Sequence, residues 1–134
     1  GWSEGPPLDF VADLGDIIDQ QCEVNGDSHK CLERVLEAWK PMSAPVYHLM
    51  GNHELYNFNR EECRRLIPNV YPWYHSFQPA RGWRVVVMDA YELNIIEKGG
   101  GPAVEEGFAY LAQHNPNDLR APRGTVDMQQ GLTG

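Results

Sequence analysis

Asp16 and Asp19 in "LGDIID", and Asn52, His53 and Glu54 in "GNHELYNF", are the side chains whose types and spacing could do chemistry. A carboxylate can bridge two hard cations, and an amide oxygen can ligate one without adding charge. A neighbouring imidazole can act on a bound phosphate as acid or electrophile. These are the parts of a two-metal phosphoesterase, with Asp16 and Asn52 as candidate metal ligands and His53 as the candidate catalytic group. Asp19 and Glu54 are the carboxylates available to orient the imidazole. Each cluster follows a short apolar run ending in glycine, Gly15 before Asp16 and Gly51 before Asn52. One such junction reads as an ordinary turn, because Gly, Asn and Asp tolerate left-handed backbone. Two built alike point to a shared task.

The elements that must position them follow from the apolar pattern. Leu8 to Leu14 is a short apolar run interrupted by Asp9 and Asp13, bounded by Pro6, Pro7 and Gly15, and predicts a largely buried strand. "DSHKCLERVLEAWKP" places Leu32, Val35, Leu36 and Trp39 on one helical face, with Asp27 or Ser28 as N-cap and Pro41 as the stop. Pro45 to Met50 is β-rich. Two strands joined through one helix make a βαβ unit with parallel strands, so the fold class is α/β. In an open parallel sheet the loops diverge beyond the carboxyl ends of the strands and leave a crevice. Asp16 and Asn52 both lie just past such ends, and a right-handed crossover brings them to one cleft. Gly15 and Gly51 are expected to leave room there for an ion or phosphate beside the main chain.

Further along, "NREECRRLIP" predicts two helical turns stopped by Pro68, and "YHSF" and "WRVVVMD" predict a hairpin around "QPARG". Val104, Phe108 and Leu111 have helical spacing after the flexible "GGGP", although Gly107 costs about 1 kcal/mol against alanine. From Asn115 onward only loop is expected.

"GDIID" and "GNHE", each after an apolar strand, resemble the GDxxD and GNH[DE] motifs of the calcineurin-like metallophosphoesterases. "LGDIID", "GNHELYNF", "VVMDAYELN" and "HNPN", in that order, resemble one member family, the manganese-dependent ADP-ribose/CDP-alcohol diphosphatases. The resemblance implies part of a β-sandwich flanked by helices and two bound Mn ions, with Mg or Fe also suited to such ligands. It implies that Asp16 bridges both metals and that Asn52 ligates one and touches the scissile phosphate. It implies that His53 stabilises or protonates the leaving oxygen, and that water made acidic by the cations splits a nucleotide diphosphate to a nucleoside monophosphate. The family's opening Asp-x-His or Asp-x-Gln and its later GHxH have no counterpart. The chain therefore reads as a single partial domain over residues 1–134, an interior fragment incomplete at both ends, inactive and poorly folded by itself. Cyclic-nucleotide phosphodiesterases and protein phosphatases share both motifs, and a truncated, non-catalytic nucleotide- or partner-binding protein is the alternative from another class.

Composition narrows the field. The 134 residues carry 42% hydrophobic and 22% charged side chains, as one globular domain does, and a net charge of -8 with a pI near 5.0. Without a cluster of Lys and Arg, a nucleic-acid surface is not expected, and an anionic substrate calls for metal ions. No apolar run reaches the roughly 20 residues that span a bilayer. Cys22, Cys31 and Cys63 are odd in number and at no zinc spacing, which reads as reduced thiols in a cytoplasmic setting. Tyr56 and Phe58 read as core rather than base-stacking groups, Asp89 as a buried, hydrogen-bonded aspartate, and His29, His48, His75 and His114 as structural or exposed.

Overall fold

In a computed structural model, residue 5 and residues 7–70 and 72–122 are described. Strand β1 (Val11–Asp13) leads through the short helix α1 (Gln21–Val24) and α2 (Ser28–Trp39) to β2 (Val46–His48). Then come α3 (Asn52–Asn57), α4 (Arg60–Leu66), β3 (His75–Phe77), β4 (Val85–Val87) and α5 (Pro102–His114). Strands β1 and β2 pair in parallel, Val11 opposite Val46 and Asp13 opposite His48, as the βαβ reading requires. Strands β3 and β4 form the expected antiparallel hairpin. Phe10 packs edge-on against Tyr47 and Phe77, and Tyr47 stacks on Phe77 at 4.2 Å, so an aromatic cluster joins the two sheets.

The first strand is shorter and less buried than its apolar run suggests. Only Val11 is in the core, while Leu8 and Leu14 are exposed. The ladder ends where the chain must bend into the Gly15 turn. Helix α2 begins after Asp27, and Ser28 is its first residue, buried, with its hydroxyl donating to Asn57 Oδ1 at 2.7 Å. Helix α4 is closed by a reciprocal capping box, Glu62 N to Asn59 Oδ1 and Asn59 N to Glu62 Oε2, both at 2.9 Å.

The core groups Ile18, Leu32, Phe58, Cys63, Ile67 and Val70, with Val35 and Leu36 of the α2 stripe packed against it. Phe58 is thus core, as expected. The loop from β4 to α5 lies against Gly107, where any Cβ would collide with the carbonyl of Asn94. Close backbone approach explains a glycine inside that helix. The loop expected from Asn115 onward is seen as far as Pro122; the remainder lies outside the described residues. Among the described residues no helix is long and apolar enough to cross a membrane.

Candidate metal-junction site

The two junctions meet back to back. Gly15 has φ +90, and a Cβ there would stand 2.5 Å from Gly51 N and 2.8 Å from Gly51 Cα. A Cβ on Gly51 would strike the Asp16 carboxylate. Each glycine therefore makes room for the other junction, rather than for an ion as the sequence suggested. Asp16 itself takes a left-handed φ of 56, a conformation enriched in Asp and Asn among non-glycine residues.

Glu54 fastens this contact. Its carboxylate, 1% exposed, accepts Asp16 N and Gly51 N on Oε2 at 2.8 and 2.7 Å, and Ile17 N on Oε1 at 2.8 Å. Asp16 completes the arrangement from the other side, its Oδ1 accepting His53 N at 3.0 Å. Gly51 is the N-cap of α3 and has no side chain to cap with, so a carboxylate from the first junction caps the helix. The sequence pattern shows "GNHELYNF" only as a junction because this helix depends on a partner 37 positions away.

His53 Nδ1 accepts the Gln20 N–H at 3.1 Å. In the neutral ring this leaves the proton on Nε2. Asp19 stands 3.9 Å from Nδ1 and is mostly exposed, while its carbonyl accepts Asn57 Nδ2 at 3.2 Å. Of the two carboxylates expected to orient the imidazole, Glu54 is committed to the backbone amides and Asp19 flanks the ring. The Gln20 backbone makes the direct bond, a partner that side-chain types cannot reveal. Asn52 is the first residue of α3 and half-buried.

Beneath the junctions, His48 Nδ1 lies 2.7 Å from Asp13 Oδ2 across the β1–β2 pair, and Asp13 Oδ1 accepts Gly15 N at 3.3 Å. His48 is therefore structural. Beside them, Asp89 is buried in an ion pair with Arg60, whose Nη1 also donates to the Tyr91 carbonyl at 3.0 Å. Tyr91 N in turn donates to Asp89 Oδ1 at 2.9 Å. Lys98 extends the attachment, its N donating to Leu55 O at 2.8 Å and its Nζ to Asn57 O at 3.1 Å. Burial first, then the Asp16 carboxylate, Tyr56 and Glu54, raises the pKa of the Tyr91 phenol and keeps it a hydrogen-bond donor. Tyr91 therefore belongs to the surroundings of Asp16, a placement that its position in "VVMDAYELN" did not disclose.

Asp16 is exposed and has accepted one hydrogen bond of the four or so its carboxylate can take. With the Asn52 amide it offers hard oxygen donors, the type that Mn and Mg prefer. Among the described residues no group of three or more His, Cys, Asp or Glu is placed to hold a metal. The donors present fit divalent cations in kind and supply part of a ligand set.

The family model for calcineurin-like phosphoesterases matches residues 3–130. A human protein named manganese-dependent ADP-ribose/CDP-alcohol diphosphatase is 34% identical over 89% of this chain and 40% of its own length. Its Arabidopsis thaliana namesake is 32% identical over 95% of this chain and 42% of its own length. The crystal structure of a dimetal phosphatase from Danio rerio superposes with a TM-score of 0.72 at 30% identity, over 81% of this chain and 38% of that one. The chain thus spans about two fifths of the length of these relatives.

Proposed function

Because the chain belongs to the calcineurin-like phosphoesterase family, we propose that it contributes Asp16, Asn52 and His53 to the hydrolysis of a nucleotide diphosphate, ADP-ribose or a CDP-alcohol, to a nucleoside monophosphate. The observation that carries this reading is the docking of the two junctions. Glu54 and Asp16 between them bind four backbone N–H groups and hold Asp16, Asn52 and His53 at one surface. The names of the relatives supply the substrate and the manganese.

In this reading Asp16 and Asn52 would hold the divalent cations, Asp16 through its carboxylate and Asn52 through its amide oxygen. When bound, the cations polarise the phosphoryl oxygens and lower the pKa of water. Asp16, held in a left-handed turn and bonded to α3, presents its remaining lone pairs from a fixed backbone. His53, its Nδ1 occupied by Gln20, keeps a proton at Nε2 for a phosphoryl or leaving-group oxygen.

The test is an activity screen of the full-length gene product on ADP-ribose, CDP-choline and a cyclic nucleotide, with Mn and then Mg. Release of AMP or CMP with Mn is the expected result. Hydrolysis of the cyclic nucleotide alone would move the substrate elsewhere in the family, and no turnover on any of the three would favour a non-catalytic protein. In the active protein, Asp16→Asn should lose bound metal and activity together, because a bridging carboxylate's charge holds both cations. Two retained metal equivalents with normal turnover would remove the bridging role. His53→Ala should keep the metal and lower turnover about 10²–10⁴-fold, the range for a general acid. Unchanged turnover would take His53 out of the mechanism.

A further inference from the structure

Asn57 ends α3, one turn beyond His53, with 0% of its surface exposed. Its Nδ2 donates to Asp19 O at 3.2 Å and to His53 O at 2.8 Å, and its Oδ1 accepts the Ser28 hydroxyl at 2.7 Å. Carbonyls can only accept, so these two fix which end of the amide faces them. The Asp19 carbonyl belongs to the same peptide group as the Gln20 N–H that reaches His53 Nδ1 at 3.1 Å. A peptide group is planar and trans, so a hold on its C=O aims its N–H the opposite way. Asn57 and His53 thus grip the two ends of one peptide group of the first junction.

The Gln20 N–H has a competitor at Nδ1. Asp19 Oδ2 lies 3.9 Å from that nitrogen, on a side chain 70% exposed and free to turn toward it. A carboxylate there calls for a proton on Nδ1, whereas the Gln20 N–H calls for a lone pair. The two partners therefore select opposite tautomers of the neutral ring. We propose that Asn57 is a positioning residue that chooses between them: by holding the Asp19 carbonyl it keeps the Gln20 N–H on Nδ1 and so keeps the His53 proton at Nε2. Ser28 holds the far end of the amide from the start of α2 and stops it from turning. The bearing of this device on catalysis rests on the reading of His53 as a proton donor; the choice of tautomer does not.

Nuclear magnetic resonance of the full-length gene product tests this, with isotope-labelled histidine and with Mg in place of the paramagnetic Mn, because the ring nitrogens of the two tautomers resonate apart. At about pH 8.5, above the ordinary imidazole range, the parent His53 should carry its proton on Nε2. Asn57→Ala should move part of that population to Nδ1. It should also speed deuterium exchange of the Gln20 amide about tenfold more than that of Ile17, which Glu54 holds, as loss of one hydrogen bond implies. Ser28→Ala frees only the far end of the amide and should give a smaller change in the same direction; it decides the matter if Asn57→Ala does not fold. A purely structural role would lower stability and leave the ring of the folded molecules as it was. A proton still on Nε2, with Gln20 protected relative to Ile17 as in the parent, in every variant that folds, would overturn the proposal, as would a parent ring protonated on Nδ1. Neither readout involves turnover, so an unchanged turnover in His53→Ala removes the catalytic reading and leaves the tautomer result standing.

Discussion

The side chains of Glu54 and Asp89 are both buried carboxylates, yet they are met by partners of opposite kinds. Glu54 lies under the junctions and, among the described residues, its carboxylate is met only by neutral backbone N–H groups, whose dipoles bind its lone pairs without cancelling its charge. Asp89 lies in the adjoining wall and is met by the guanidinium of Arg60. The difference follows from what stands nearby. A cation beneath Asp16 would compete electrostatically with any metal at the junction, whereas Glu54 held by amides adds its negative field to that of Asp16. In the wall the charge is cancelled, and what remains is structure: Arg60 and Asp89 hold the backbone of Tyr91.

Removing Glu54 should have the largest effect. Glu54→Ala deletes three charge-assisted hydrogen bonds at once and should destabilise the fold by about 4 kcal/mol. Glu54→Gln, which places an amide NH₂ against backbone donors, should rescue little. Chemical denaturation measures both, and a Gln variant as stable as the parent would mean that the charge is unimportant. Arg60→Met should cost slightly less, about 3 kcal/mol, because it leaves Asp89 buried with a weaker set of partners. Arg60→Met combined with Asp89→Asn should recover most of the loss, as for a pair whose charges cancel. No recovery in the double variant would show that the wall depends on its geometry rather than its charge.

Near neutral pH the effect of Cys63 titration is nil, and it is felt only in alkali. Its thiol is raised from 9.0 to about 12 in the folded chain, chiefly by burial, so between those values the unfolded chain has lost a proton that the folded chain keeps. Stability should therefore fall as pH rises from about 9 to about 12, by at most about 1.4 kcal/mol per pH unit. Cys63→Ala should remove that slope, and denaturation midpoints across this range measure it; a slope unchanged in the variant would assign it to other groups.

The α2 stripe, the parallel pair, α4, the hairpin and α5 were legible because each is set by local periodicity and a nearby cap or stop. Helix α3 was not. It is six residues long and opens on Gly, Asn and His, and what caps it is Asp16, which only the folded chain brings near. The nearness of the junctions could be reasoned from the βαβ crossover, but the use of Glu54 could not. Backbone amides are present at every position, so nothing in residue type marks the three that it binds. The same holds for Gln20 against His53. Tyr91 escaped for another reason, since its position depends on a loop pinned by Arg60 of α4 and by its own Lys98 bonding back to α3.

Glu54 has one more consequence, for motion. Its partners Asp16 and Ile17 precede it by 38 and 37 positions, while Gly51 precedes it by only 3. Segments so far apart would ordinarily open to solvent independently, each with its own free energy. With one carboxylate shared among them, and Asp16 holding α3 in return, the first junction cannot open while the second stays closed. The amide hydrogens of Asp16, Ile17, Gly51 and His53 are bound into one opening event and should exchange with deuterium together. The surface that carries Asp16, Asn52 and His53 should thus open as a single cooperative unit rather than as two loops.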